Sequence, residues 1–269
     1  MRAATFLAPL LALTLLGQPA LAEGARDTSL QPSESWEAIR YDVLGEAETV
    51  PGEAVLTLDA PFRAEDAATV PIRVTQSPGG PRIERMILVV DENPAPVVAE
   101  FTFGAAMDPV EIETRVRVDA YSNVRVIAVA ADGTHYMTGR FVRASGGCSA
   151  PASKDAEAAL AALGEMRARI FEDAGPVDGR AEAQVMLRHP NYSGLQRNQV
   201  THLYVPARFV DTLSVRQDDA LLFSMTGGIS ISEDPTFRFR FTPSGSGALS
   251  VEATDTDGMA FSQSFPVGS

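Results

Sequence analysis

Val110–Val118 reads VEIETRVRV, and its spacing decides the class of fold. Ile112, Thr114, Val116 and Val118 fall on one side of an extended chain; Glu111, Glu113, Arg115 and Arg117 fall on the other. A period of two marks a strand with one face in a core and one in water. Upstream, Glu84–Pro94 (ERMILVVDENP) is a more continuous apolar run, stopped at Asn93-Pro94, as in a central strand. Downstream, Asn123–Val142 reads as two strands joined at Ala131-Asp132-Gly133, where Asp-Gly is the hairpin signal. With Glu53–Leu58, Thr69–Thr75 and Val97–Phe103, about seven short strands fill Trp36–Arg143, with a turn signal roughly every ten residues. That spacing favours an antiparallel sandwich.

A second run of strand-like segments covers residues 181–190, 199–206, 208–217, 220–226, 236–242, 247–254 and 259–266. In it Phe237, Phe239 and Phe241 alternate with Arg238 and Arg240, again one apolar face. Between the two runs, Leu160, Leu163, Met166 and Ile170 recur at helical spacing. Ser153 is a candidate cap, Asp155 and Glu157 stand in the first turn and Arg167 and Arg169 near the end, matching a helix dipole over Lys154–Phe171. The expected fold is all-β: two β-sandwich domains joined by an α-helical linker, with one larger β-domain as the alternative. The halves share a strand-rich plan but no convincing sequence repeat.

The start of the chain bears on where it works. Met1 and Arg2 give a positive start, Phe6–Gly17 an apolar run, and Ala20 and Ala22 the small residues of a cleavage site. This is the pattern of a secretory signal peptide over residues 1–22, with a mature chain from Glu23 and a polar, flexible segment over 23–35. The run is short for a bilayer span, so the expectation is export to a bacterial periplasm without a membrane anchor. The 269-residue chain is 45% hydrophobic, enough for a sizeable core, and its net charge of −13 argues against nucleic acid as a partner.

Few residues offer chemistry. His135, His189 and His202 lie far apart, with no second ligand at metal-site spacing. Asp255–Gly258 (DTDG) lacks the later ligands of a calcium loop and reads as a tight turn. Asn191–Ser193 matches a glycosylation sequon, a triplet common by chance. Glu65-Asp66 and Asp218-Asp219 read as turns or caps rather than acid–base pairs. The sequence calls for no metal or other cofactor.

That leaves Cys148, the chain's single cysteine. It excludes an internal disulfide, and a lone thiol in an oxidising compartment needs its own explanation. Ser145, Gly146, Gly147 and Ser149 give it almost no apolar company, so the local reading is an exposed, functional thiol on a pliable loop that a partner's active site could enclose. A small buried hydrophobe is the alternative. A thiol enzyme would need His135 or His189 beside the sulfur.

These residues resemble a known family. Ala60–Pro71 (APFRAEDAATVP), Val90–Phe101 (VDENPAPVVAEF), Thr114–Tyr121 (TRVRVDAY) and Gly146–Pro151 (GGCSAP) resemble the SoxY carrier of bacterial sulfur oxidation. Arg188–Gly194 (RHPNYSG), Val205–Val210 (VPARFV), Asp234–Phe241 (DPTFRFRF) and Val251–Gly258 (VEATDTDG) resemble its companion SoxZ. The chain is similar to a SoxY–SoxZ fusion, and among these to the quinoprotein dehydrogenase-associated SoxYZ-like carriers. The resemblance implies an immunoglobulin-like sandwich for each half, a SoxY-like domain over 36–150, a linker over 151–180 and a SoxZ-like domain over 181–269. It implies a non-enzymatic periplasmic carrier of thiosulfate oxidation that holds sulfur intermediates on Cys148, with Gly146, Gly147 and Ser149 forming the carrier loop. Sulfur-oxidation enzymes, or a quinoprotein dehydrogenase and its cytochrome c, are the implied partners. Two departures stand out: Ser149 and Ala150 replace the glycines that follow the cysteine in SoxY, and Cys148 is no longer on a free tail.

Overall fold

The computed structural model of the chain describes residues 27–151, 156–171, 179–199, 201–245 and 247–266. The expected signal peptide and its cleavage site therefore lie outside the described residues. Helix α1 (Glu34–Leu44) comes first, then β1 (Thr49–Pro51), β2 (Leu56–Asp59), β3 (Val70–Gln76), β4 (Ile83–Val90), β5 (Val97–Phe103), β6 (Glu111–Val116), β7 (Ser122–Ala130) and β8 (His135–Val142). A short helix α2 (Ala156–Ala161) leads into β9 (Met166–Ile170), β10 (Ala181–Leu187), β11 (Val210–Gln217), β12 (Ala220–Gly227), β13 (Thr236–Phe241), β14 (Ala248–Asp255) and β15 (Ala260–Pro266).

The strands make an all-β, immunoglobulin-like sandwich of two sheets. One has nine strands in the order β1-β8-β7-β4-β5-β12-β11-β14-β15; the other has six, β2-β3-β6-β13-β10-β9. Both sheets run through both halves of the chain. The joints are antiparallel: β5 on β12, with Phe101 opposite Met225, and β6 on β13, with Ile112 opposite Phe239. One apolar core fills the gap from end to end, and the joint is aromatic. The Phe223 and Phe239 rings lie 5.1 Å apart at 73°, and Phe101 and Phe237 6.2 Å apart at 74°. Edge-to-face pairs of this kind each add about 0.5–1.5 kcal/mol beyond burial.

Alternation decides which side chains enter that core. Ile112, Thr114 and Val116 of β6 are buried, as are Phe237, Phe239 and Phe241 of β13. Their outward neighbours form a charge ladder across the joint: Arg73 pairs with Glu111 and Glu113, Arg240 with Glu111 and Glu182, and Arg238 with Glu182. β4 and β7 are buried nearly throughout because α1 covers their outer face. Trp36 packs there against Ile87, Val89 and Ile127, under the Arg125 guanidinium at 4.7 Å. Arg125 in turn grips buried Asp91 with Nε–Oδ1 at 2.8 Å and Nη2–Oδ2 at 2.9 Å.

Three elements differ from the sequence expectation. Helix α1 stands where extended chain is expected from Trp36; Ser33 caps it, its Oγ accepting from Trp36 N at 3.0 Å. The linker helix is described over Ala156–Ala161 and does not run on to Phe171, and the expected cap at Ser153 falls outside the described residues. Gly164, at φ +87°, turns the chain, its N–H bonding Arg188 O at 2.9 Å, and Met166–Ile170 then pairs with β10 as an edge strand. Residues 201–206 form no strand; around them the chain makes only isolated bridges, Arg197 with Tyr204 and Tyr192 with Arg208.

Candidate functional site

Cys148 lies in the loop that leaves β8. The loop folds back along the segment just after β6: Gly146 N–H bonds Asp119 O at 2.7 Å and Gly147 N–H bonds Val118 O at 3.2 Å. Gly146 takes φ +77°, a conformation open to glycine. Gly147 is needed for space, since a Cβ there would stand 2.1 Å from Ala67 O and 2.7 Å from Val118 O. The glycines thus press the loop onto the body of the protein.

The second half completes the clamp. Ser193 Oγ donates to Cys148 O at 2.5 Å, and Gln196 Nε2 donates to Ala150 O at 3.0 Å. Cys148 N–H bonds Asp119 Oδ1 at 3.0 Å. Asn93 ties the walls together: its Oδ1 accepts from Asp119 N, and its Nδ2 donates to Arg117 O and Ser230 Oγ at 2.7 and 2.9 Å. The Ser230 hydroxyl in turn donates to Ala95 O at 2.9 Å.

The expected exposure of Cys148 is corrected: the residue is 0% exposed. Its immediate neighbours in sequence are small and polar, but the cover comes from remote segments, residues 67, 117–119, 193–196 and 230. Burial pushes the thiol up to about 11, the Asp119 carboxylate adds to that, and Arg117 and the Ser230 hydroxyl pull against it. Ser149, by contrast, is exposed.

Arg117 is a second correction. Expected on the wet face of its strand, it is 1% exposed. Residues 229–231 of the second half lie over it, and its Nη1 donates to Ile229 O at 3.1 Å and Ile231 O at 2.5 Å. Its Nε is buried with no hydrogen-bond partner. Desolvation holds its pKa below the usual arginine value.

No histidine is a partner of the thiol among the described residues. His189 is buried, with Nδ1 accepting from Asn191 N at 3.0 Å and Nε2 facing Asp255 Oδ2 at 3.4 Å; desolvation lowers its pKa, with Asp255 opposing. His135 Nδ1 lies 2.9 Å from Gly133 O in its own hairpin, and His202 is exposed. The thiol-enzyme arrangement of cysteine and histidine is therefore not formed. Asp255–Gly258 is a tight turn, with Gly258 N bonding Asp255 O. Asn191 of the sequon is fully buried, its amide spent on Ser232 O and Val210 N, so it presents no acceptor for a glycan. Asp66 caps a turn through Ala68 N and Thr69 Oγ1, and Asp218 bonds Ala248 N. No group of three acidic, cysteine or histidine side chains among the described residues could hold a metal ion.

Beside the docked loop opens a groove of about 440 Å³, lined by Ser149 and Pro151 on one side and by Leu195, Arg197, His202 and Tyr204 on the other. Sequence reasoning missed most of this site. Arg117, Asp119, Asn93, Ser193, Gln196 and Ser230 carry no local motif that separates them from ordinary turn and strand residues.

The site and fold define a class: an immunoglobulin-like sandwich with one thiol clamped where its two halves meet. Residues 40–148 match the family of sulfur oxidation protein SoxY, and residues 170–266 match that of sulphur oxidation protein SoxZ. The chain thus joins a SoxY segment to a SoxZ segment, which supports a fused SoxYZ-like sulfur-oxidation carrier. Both families are of carrier proteins rather than catalysts. No curated protein sequence matches the chain. Among solved structures, the sulfur carrier protein SoxY from Chlorobium limicola f thiosulfatophilum is 27% identical over 40% of this chain and 94% of that one, with a TM-score of 0.35. A superoxide reductase (neelaredoxin) from Ignicoccus hospitalis is 11% identical over 33% of this chain and 78% of its own, with a TM-score of 0.30.

Proposed function

We propose that the protein is a periplasmic covalent carrier. Cys148 holds a sulfur-oxidation intermediate as a cysteine adduct and presents it to partner enzymes, and residues 1–22 are the leader that directs export. The observation that carries this reading is the position of the chain's only cysteine: it ends the SoxY segment, after two glycines, in a loop gripped by both halves. A buried thiol cannot meet an enzyme in this state, so the loop leaves its seat to work. Its attachments suit that task. Among the described residues two hydrogen bonds from the second half hold the loop's backbone, Ser193 to Cys148 O and Gln196 to Ala150 O, each of the kind worth about 1 kcal/mol net. Partners are sulfur-oxidation enzymes, or a quinoprotein dehydrogenase with its cytochrome c.

Burial of Cys148 favours one other reading, an assembly module for a periplasmic dehydrogenase with an idle thiol. Replacing the gene in its host by the Cys148→Ser form separates the two. The carrier reading expects loss of the host's sulfur-dependent oxidation with the protein still present at wild-type level. Full activity of that strain would sink the carrier and leave the assembly module.

A further inference from the structure

His189 is a buried titratable group that the carrier reading leaves unused, and it stands at the root of the clamp. Its side chain is fully buried, edge-on to Phe261 at 6.1 Å. The two ring nitrogens have fixed and different tasks. Asn191 N–H points at Nδ1 from 3.0 Å, and a backbone N–H can only donate, so Nδ1 is the unprotonated nitrogen. The ring proton is therefore on Nε2, which faces Asp255 Oδ2 at 3.4 Å. Asn191 opens the turn that ends in the clamp. Its side chain is held by Ser232 O and Val210 N. Two residues on, Ser193 Oγ donates to Cys148 O, and Gln196, whose Oε1 accepts from Ser193 N, donates to Ala150 O. The ring thus fixes the first backbone N–H of the turn, and the far end of the turn grips the cysteine loop.

A proton on Nδ1 would set two donors against each other. The charges around the ring give it little help. Asp255, at the end of β14, already takes Arg208 Nε on Oδ2 at 2.9 Å and the N–H groups of Asp257 and Met259 on Oδ1. Arg208, ahead of β11, also pairs with the exposed Asp257 at 3.1 Å. Asp234, ahead of β13, accepts from His189 N–H through Oδ1 and pairs with Arg188. Asp255, Asp257 and Asp234 are thus each engaged by an arginine, and an imidazolium would be a further buried cation. Desolvation accordingly holds the ring below the ordinary 6.5, with Asp255 opposing.

We propose that His189 is an acid-sensitive latch of the carrier loop: the neutral ring holds the 191–196 turn shut on residues 148–150, and a proton taken from water at Nδ1 displaces the Asn191 N–H and lets the loop out. This rests on the carrier reading and adds the condition under which the thiol is presented. His189 is a positioning residue, acting through Ser193 and Gln196 rather than on the sulfur. The fold favours the neutral ring, so this hold is whole above 6.5 and is lost as pH falls from there through the lowered value.

The test measures labelling of Cys148 by dithiodipyridine, which reacts with thiols in acid, on the whole protein from pH 7.5 to pH 5. Each rate is divided by that of the same protein unfolded in urea. The ratio cancels the thiolate fraction, because the thiol titrates above this range in both states, and reads how often the loop is out. In the wild type it should rise about five-fold or more between pH 6.5 and pH 5; a single proton permits at most about ten-fold per pH unit. In His189→Asn, whose amide oxygen can accept from Asn191 N–H and takes no proton, it should stay low and flat. NMR of the imidazole nitrogens should show Nε2 protonated at pH 7.5 and a His189 midpoint that coincides with the rise, while circular dichroism shows the sheets intact. If His189→Asn does not fold, the coincidence of the two wild-type midpoints decides. A flat wild-type ratio, a rise that persists in His189→Asn, a rise that comes with loss of sheet, or a His189 midpoint apart from the rise would each overturn the proposal. The carrier reading is judged separately, by the mass of protein from its host. The latch survives an adduct-free protein with this pH profile, and the carrier survives a flat profile with an adduct.

Discussion

At the residue scale, the thiol's behaviour follows from what encloses it. The native thiol should alkylate far more slowly than the unfolded one, because it is both covered and protonated at neutral pH. Ser193→Ala with Gln196→Ala should speed native labelling by roughly ten-fold or more, since two hydrogen bonds of about 1 kcal/mol each hold the loop down. Equal rates in this double variant and the wild type would mean that the loop opens by another route. Gly147→Ala drives a methyl into Ala67 O and should cost about 1–3 kcal/mol in urea unfolding, as overpacking does. Stability should also fall with pH. The folded thiol titrates at about 11 against an ordinary 9.0, so its protonated form is favoured by the fold. That contribution is whole below 9.0 and is lost as pH rises to about 11; it is on the order of 2 kcal/mol. Cys148→Ser should lack this part of the decline, which urea unfolding at pH 8 and pH 11 measures. The local sequence put Cys148 on an exposed loop and so misplaced it. Its neighbours are small and polar, and the residues that cover it come from as far away as Ser230.

At the scale of the element, pattern was legible wherever one face of a strand meets water. β6, β13 and the β7–β8 hairpin match their alternation and their Asp-Gly turn. It failed where an element's partner is remote. Met166 and Ile170 fit a helical stripe, yet Arg167, Ala168 and Arg169 fit an edge strand as well, and pairing with β10 decided between them. Arg117 continued the polar side of β6 in sequence, but residues 229–231 cover it. Helix α1 had a usable signal in Ser33, three residues before Trp36. Trp36→Ala should cost about 3–5 kcal/mol, because the indole is buried under Arg125 and α1 has no other fully buried residue. A loss below about 1 kcal/mol would show that α1 is not anchored there. The ladder across the joint gives a pH signature. Burial works to raise the Glu182 carboxyl, but the Arg238 hydrogen bond and the charges of Arg238 and Arg240 outweigh it and hold it below the usual range. Its contribution is present above the ordinary glutamate pKa and is lost as pH falls through the lowered one. Glu182→Gln should flatten the acid side of the stability curve, read by unfolding from pH 6 to pH 3.

At the scale of the whole molecule, the two halves share both sheets and one core, so the seat of Cys148 exists only when both are folded. Calorimetry should show one cooperative transition for the chain; two separated peaks would mean that the halves fold independently. The resemblance implied two sandwiches side by side, and alternation gave their strands, but nothing local told that β5 would pair with β12 or β6 with β13. Among the described residues no helix is long and apolar enough to cross a membrane. The central claim is that Cys148 carries cargo, and the intact mass of the protein taken from its native host tests it most directly. The wild-type mass should exceed that of the bare mature chain by a sulfur-containing group, removed by a thiol reductant and absent from Cys148→Ser. An unmodified mass in wild-type protein from cells actively oxidising sulfur compounds would contradict it.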